Sequence, residues 1–312
     1  MSKNINRREF LTCVPVLGVG AMALNIPTIH AQEDEPESLL TVRNRFGQQG
    51  WLMPANFGSP AWVEPWPDPS GEAHYNDVIT IAIHYLTDGV KLRKYLPHPY
   101  ELEGLPIVKV TYSMNRGITW LAGGQYNIVG LTVRASYLGE NDKVTGDYVL
   151  VLWENLSEPI LTGREIQGIP KIYGDIEDHH TFNGVMRTTL SNLGKKMLDI
   201  EAADLTEMEP VALEQLRTSG SDGRLLGWKY IPNETSSGPI ISYATEFPIS
   251  SEYSQAWSAT GRLQWYQQEW VDNPTQAHIV NAIYSMPIKK IVKCTVTKGS
   301  KVLHTGRVRR LR

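Results

Sequence analysis

From about Tyr75 onward the chain is a succession of short runs rich in β-branched and aromatic residues, separated by turn-forming Gly, Pro, Asn and Asp. Eleven such runs are readable: 78–86, 107–112, 126–137, 148–154, 185–190, 197–200, 227–231, 240–247, 258–265, 288–296 and 301–307. Several alternate apolar and polar residues, as in Thr80-Ile81-Ala82-Ile83-His84-Tyr85 and Val292-Lys293-Cys294-Thr295-Val296, the pattern of half-buried strands. Helical signal is confined to 87–94, entered through Thr87-Asp88 and stopped by Pro97, and to 210–217. So many strands with so few helices predict a mainly β (α+β) fold, a barrel or packed antiparallel sheets with few short helices. No repeat and no Pro/Gly/Ser linker interrupts 75–312, which is expected to be a single domain.

The preceding residues read differently. Asn6-Arg7-Arg8-Glu9-Phe10-Leu11 stands ahead of a weakly apolar run over 14–26, and small Ala31 follows. That order predicts a twin-arginine signal peptide over 1–31, cleaved near Ala31, with the twin-arginine export machinery as partner and a periplasmic or exported mature chain. The apolar run is too short, and too interrupted by Pro15 and Pro27, to span a bilayer. Cys13 leaves with the signal, so Cys294 remains alone and no intrachain disulfide can form. Residues 32–74 are charged, then rich in Pro, Trp and Gly, and are expected to be an extended Pro-rich N-terminal arm. With 30 Lys+Arg against 33 Asp+Glu, and no basic stripe beyond the tail of Arg307, Arg309, Arg310 and Arg312, nucleic acid is not a partner class.

The sharpest local pattern is Glu158-Pro-Ile-Leu-Thr-Gly-Arg-Glu-Ile-Gln-Gly-Ile-Pro-Lys-Ile-Tyr-Gly174, a Gly/Pro-braced loop presenting Lys171 among Ile169, Pro170, Ile172 and Tyr173. An ammonium held among such neighbours loses solvation, and the neutral amine is a nucleophile able to attack a ketone and form an iminium. On spacing alone the commoner role of a lysine beside Pro and Ile is an exposed loop residue whose stem covers apolar surface. Asp175-Ile176-Glu177-Asp178-His179-His180 has a metal-like composition, but adjacent histidines on an extended chain point to opposite faces, so no metal is expected. Gly123-Gly124-Gln125 lacks dinucleotide-loop spacing, and no cofactor is expected.

The stretch 159–174 resembles the active-site segment of the acetoacetate decarboxylase family, in which Gly-Arg-Glu is followed by Pro-Lys. The resemblance continues in order through Leu96-Pro97-His98-Pro99, Gly146-Asp147-Tyr148, Lys229-Tyr230-Ile231-Pro232, Gly261-Arg262-Leu263-Gln264 and Met286-Pro287-Ile288-Lys289, and so covers essentially 75–300. It implies a β-rich, barrel-like homo-oligomer without cofactor, a small keto acid as substrate, and Lys171 as the residue that forms the substrate imine. Tyr173 is then a candidate acid/base, or else loop packing; Arg164 a candidate fork for the substrate carboxylate, or else a partner of Glu165. Glu165 and Ile172 complete the expected substrate-binding set.

The chain departs from the family at four places. Ile172 stands where the decarboxylases carry a second lysine, so that desolvation rather than a neighbouring charge has to tune Lys171. The family's active-site arginine aligns near Val78, a glutamate near Ala122 and a further glutamate near Thr111. The resemblance therefore implies a Schiff-base-forming lyase, with decarboxylation of acetoacetate or a related β-keto acid expected first. The alternatives are an aldolase or dehydratase acting on another keto acid, and a non-catalytic barrel that binds a small ligand.

Overall fold

The structure is a computed structural model that describes residues 72–312, together with the backbone of 41–43 and 49–51. The signal segment 1–31 and most of the arm 32–74 lie outside the described residues. Thr41–Arg43 (β1) and Gln49–Trp51 (β2) pair antiparallel as a two-stranded sheet of their own. The strands that follow are β3 (Ala73–Leu86), β4 (Tyr100–Leu102), β5 (Ile107–Ile118), β6 (Gly124–Leu138) and β7 (Lys143–Glu154). Next come β8 (Lys171–Tyr173), β9 (Asp175–Ile176), β10 (His180–Phe182), β11 (Val185–Asn192) and β12 (Lys195–Glu207). The chain finishes with β13 (Gly223–Pro232), β14 (Pro239–Trp265), β15 (Lys290–Leu303) and β16 (Arg309–Arg310). Among the described residues helices are few and short: α1 (Gly89–Arg93), α2 (Ser157–Thr162), α3 (Pro210–Ser221) and α4 (Ala277–Tyr284).

The mainly β expectation holds. Strands β3 to β16 join in one fourteen-stranded sheet, whose order runs β10-β11-β12-β14-β13-β7-β6-β5-β3-β15. Because β15 also pairs with β14, the part from β14 to β15 closes into a seven-stranded barrel. Closure leaves those strands no free edge. Most pairs are antiparallel, but β7–β13 and β7–β8 are parallel, so the sheet is mixed.

The long strand β14 makes the closure possible. Residues 239–249 pair with β13, 249–258 with β15 and 257–265 with β12. Its two halves are readable in the sequence as separate runs broken at Pro248. In the structure Pro248, opposite Arg224 on β13, sits where β14 changes partners, a place where a missing N–H is tolerated. Past the barrel, β14 carries β12, β11, β10 and β9 as a second layer over its outer wall.

The alternating pattern resolves into two faces. Ile81, Ile83, Tyr85, Val108, Val110, Tyr112, Leu131 and Val133 face outward into a core shared with Leu190, Leu198, Ile200, Val280 and Trp265 of the second layer and α4. Thr80, Ala82, His84, Lys109, Thr111, Ser113, Asn115, Thr295 and Thr297 face the barrel lumen. The polar halves of β3, β5 and β15 thus line an internal cavity, where part of them is buried: Asn115 is 0% and Ser113 1% exposed; β7, β13 and β14 turn apolar Leu152, Leu225, Phe247 and Ile249 to the same lumen. Helix α1 starts as its sequence predicts, with Asp88 accepting from the backbone of Val90 and Lys91.

Candidate active site

The segment after β7 builds the site by a sequence of local constraints. Helix α2 ends at Gly163, and a π-helical turn spans Gly163–Gln167 before Gly168 turns left-handed, at φ 71°. A side chain at Gly168 would meet the backbone N of Lys229 at 2.9 Å, so glycine is required there. Ile169 N donates to Gly163 O (3.0 Å), and Leu152 N to Pro170 O (3.1 Å), which delivers Lys171 to the start of β8 beside Leu152. Arg164 donates to the carbonyl of Lys171 (3.1 Å), fixing the backbone from outside.

Lys171 is 6% exposed, with its amine turned into the barrel. Its Nζ lies 2.9 Å from Oε1 of Glu154 and donates to Pro159 O at 3.0 Å. Glu154, the last residue of β7, is 0% exposed. Apart from Lys171, neither of its oxygens has a donor among the described residues. Burial pushes its carboxyl above the usual range, and only the lysine opposes that. A buried amine thus faces a buried carboxyl that has no other donor among the described residues, the arrangement of a nucleophile beside its acid/base.

The lumen is a cavity of about 400 Å³. Tyr75, Tyr126, Gln167 and Leu303 line it beside Lys171, and the same residues border a second recess of about 30 Å³ closed by Trp120, Pro159 and Ile166. The hydroxyls of Tyr75 and Tyr126 stand 2.7 Å apart, and burial drives both phenols well above their usual range, so both stay neutral donors. Gln167 is 5% exposed and its Oε1 has no partner among the described residues.

His84 lies farther down the lumen, opposite Lys109 and Lys293 in the strand ladders. Burial first, then those two lysine charges, pulls its imidazole from 6.5 to about 4. Between these values the unfolded chain binds a proton that the native state does not. Stability is therefore full above 6.5 and falls as the pH drops towards 4, by about 3 kcal/mol. Urea unfolding across that window is expected to show the slope in the native sequence and to lose it in His84→Gln; an unaltered slope would count against this account.

The other expected site residues are placed differently. Tyr173 is exposed and lines neither cavity; it is at the end of β8, and its hydroxyl donates to Asp175 (2.8 Å). It is not in position to act as the acid/base. Ile172, on the opposite face of β8 from Lys171, packs against the outer core and cannot touch a ligand in the lumen. Arg164 is exposed and Glu165 half-buried on the π turn, and neither lines the lumen. Of the departures, Val78 and Thr111 do line it, whereas Ala122 caps the turn Thr119–Leu121 away from it. In the Asp175–His180 stretch, Asp178 accepts from Arg116 and Asn127, and the backbone N–H of His179 donates to the hydroxyl of Tyr112. Glu154, Gln167 and Tyr126 were not singled out by the sequence; the one signal for Glu154 is an acid ending the otherwise apolar run Val149 to Trp153.

Fold and site together define a pocketed β-barrel with an amine–carboxyl pair in its lumen. The family model of acetoacetate decarboxylase (ADC) matches residues 53–309. The chain belongs to the acetoacetate decarboxylase family, which places it among decarboxylase-like enzymes. It is 25% identical to the acetoacetate decarboxylase of Clostridium botulinum over 232 residues, covering 72% of this chain and 83% of that protein. It is 32% identical to Decarboxylase DEC1 of Cochliobolus heterostrophus over 116 residues, 37% of this chain and 41% of that protein. Among solved structures, acetoacetate decarboxylase from Legionella pneumophila superposes with TM-score 0.62 at 22% identity, covering 77% and 89% of the two chains. The enduracididine biosynthesis enzyme MppR complexed with pyruvate superposes with TM-score 0.62 at 16% identity, covering 84% and 97%.

Proposed function

We propose that the protein is a Schiff-base-forming lyase that decarboxylates acetoacetate or a related β-keto acid through an imine on Lys171. The observation that carries this reading is the Lys171 amine, buried and 2.9 Å from the carboxyl of Glu154. Glu154 takes the proton that frees the amine. The amine adds to the ketone carbon, water leaves, and the protonated imine stands where the ketone was. The bond to the carboxylate then breaks, carbon dioxide departs, and its electron pair flows into the imine to give an enamine. Protonation at carbon and hydrolysis by water return the amine and release the ketone. Gln167 and the Tyr75–Tyr126 pair supply neutral hydrogen-bonding groups at the carbonyl end.

A second reading, aldol or dehydration chemistry on a keto acid, is favoured by the cavity itself. About 400 Å³ falls in the range that encloses drug-sized ligands, well beyond a four-carbon acid. A structural relative is described as bound to the condensation product of pyruvate and imidazole 4-carboxaldehyde. Both readings share the imine. For location, the Arg7-Arg8 pattern supports an exported enzyme.

Borohydride reduction in the presence of keto acids tests the imine. The expected result is a stable adduct on the peptide bearing Lys171, absent in Lys171→Ala, with carbon dioxide release from acetoacetate falling to the uncatalysed rate in that variant. Absence of any adduct at Lys171 across acetoacetate, pyruvate and 2-oxoglutarate would sink the proposal.

A further inference from the structure

The lumen carries more positive than negative side chains, in a chain with more acids than bases. Lys109, Lys171, Arg224, Lys293 and Lys301 line it against Asp147 and Glu154. Three of the cations are matched: Lys171 by Glu154, Lys109 by Asp147, and Arg224 by Asp222 and Glu246. Lys293 is exposed and keeps its water.

Lys301 is neither matched nor free in water. It is half-buried on β15, between Tyr75 of β3 and Ser251 of β14 in the ladders. Its ammonium makes no ion pair or hydrogen bond with any described residue. Of the neighbours that share the lumen, Val78, three places along β3, and Ser251 carry no charge, while Asp77 is exposed and pairs in the ladder with Arg116. Burial, with Lys109 behind it, draws the ammonium down to about 8. A partly dehydrated cation without a counter-charge is unfavourable, and an anion in the lumen relieves it. Position makes such an anion useful. Leu303, two residues further on β15 and so about 7 Å away, shares the recess at the amine of Lys171, as Tyr75 does from β3.

We propose that Lys301 is the carboxylate-binding group of the lumen, holding the acid of the substrate while its ketone carbon reaches Lys171. The assignment rests on the reading of Lys171 given above and names the residue that would favour the acid over its esters and over neutral ketones. It also gives the substrate a direction: acid towards β15, carbonyl towards β8.

Two measurements separate this assignment from the role of Lys171. Calorimetry with 3-hydroxybutyrate, which has a carboxylate and no ketone, reads the anion site without imine chemistry. Lys301→Met is expected to weaken that binding about ten- to hundredfold, the value of one hydrogen-bonded charge, and Lys301→Arg to restore most of it. In borohydride labelling, the preference for acetoacetate over its methyl ester is expected to fall by a similar factor in Lys301→Met. Lys301→Gln, melted beside the native protein, serves if the methionine variant does not fold. Equal affinity of the native protein and the uncharged variants for 3-hydroxybutyrate, or no binding by the native protein, overturns the assignment. Failure to label Lys171 with any ketone overturns the imine instead, and calorimetry still decides Lys301.

Discussion

Alanine at position 163 is expected to leave the barrel folded and remove the working amine. Gly163 has helical backbone angles, φ −62° and ψ −43°, which alanine adopts more readily than glycine, by about 1 kcal/mol in a helix interior. The obstacle is a side chain. A Cβ there would overlap Cδ and Cε of Lys171 and stand 2.9 Å from Nζ. The lysine stem is flexible but enclosed, so it has to leave its position between Glu154 and Pro159. Misplacing a reacting group by about 1 Å can cost hundredfold, and the displacement here is of that order or larger. Gly163→Ala should therefore melt within a few degrees of the native protein and show borohydride labelling at Lys171 reduced by about a hundredfold or more. Labelling at the native level would show that the close approach of Gly163 to Lys171 has no part in placing the amine. The glycine of the Gly-Arg-Glu pattern thus has a steric reason to be there, eight residues before the lysine it accommodates.

Gly299→Ala is expected to do the reverse and damage the fold before the chemistry. Gly299 lies on β15 opposite Tyr253 of β14, at the seam that closes the barrel, where both ladders shift register. A Cβ would overlap Glu252 O and stand 2.9 Å from Glu252 C and Tyr253 Cα. These are backbone atoms and cannot rotate away. Relief requires the two strands to part, and with them the ladder bonds that close the ring. A loss of about 3 kcal/mol or more follows, which for a domain of this size lowers the melting point by roughly 10 °C. Thermal melting of Gly163→Ala and Gly299→Ala side by side checks both accounts; equal melting points would refute the contrast.

The two glycines also show how far the sequence could be read. Gly163 lies in a motif, and Lys171 stands out within twenty residues of it. Nothing local marks Gly299, whose neighbour is Glu252, 47 positions back along the chain. The same division runs through the site. Lys171 was legible because its loop is a contiguous segment. Glu154 was harder, because a lone acid after an apolar run reads equally well as a strand end meeting water. Lys301 was not legible at all. It is 130 residues from Lys171, and its significance is the absence of a partner, which only the packed neighbours reveal. Tyr173 misled for the opposite reason: closeness to Lys171 in the chain suggested a shared site, but β8 ends there and the side chain turns to Asp175.

By itself the sequence determined that this chain is built from strands, roughly where they lie, and that several of them have one apolar and one polar face. It also marked Lys171. The tertiary structure alone decided what the polar faces meet. A period of two separates the faces of a strand but assigns neither to solvent. That assignment depends on β14 pairing with β13 at one end and β15 in its middle, a long-range closure that turns the polar faces inward. Once the ring is closed, threonines, lysines and His84 that would otherwise face water surround a cavity. The solvation that groups buried in its wall lose makes a carboxyl beside Lys171 and an unmatched ammonium at Lys301 consequential, because charge stripped of water must find a partner, shift its proton or bind a ligand.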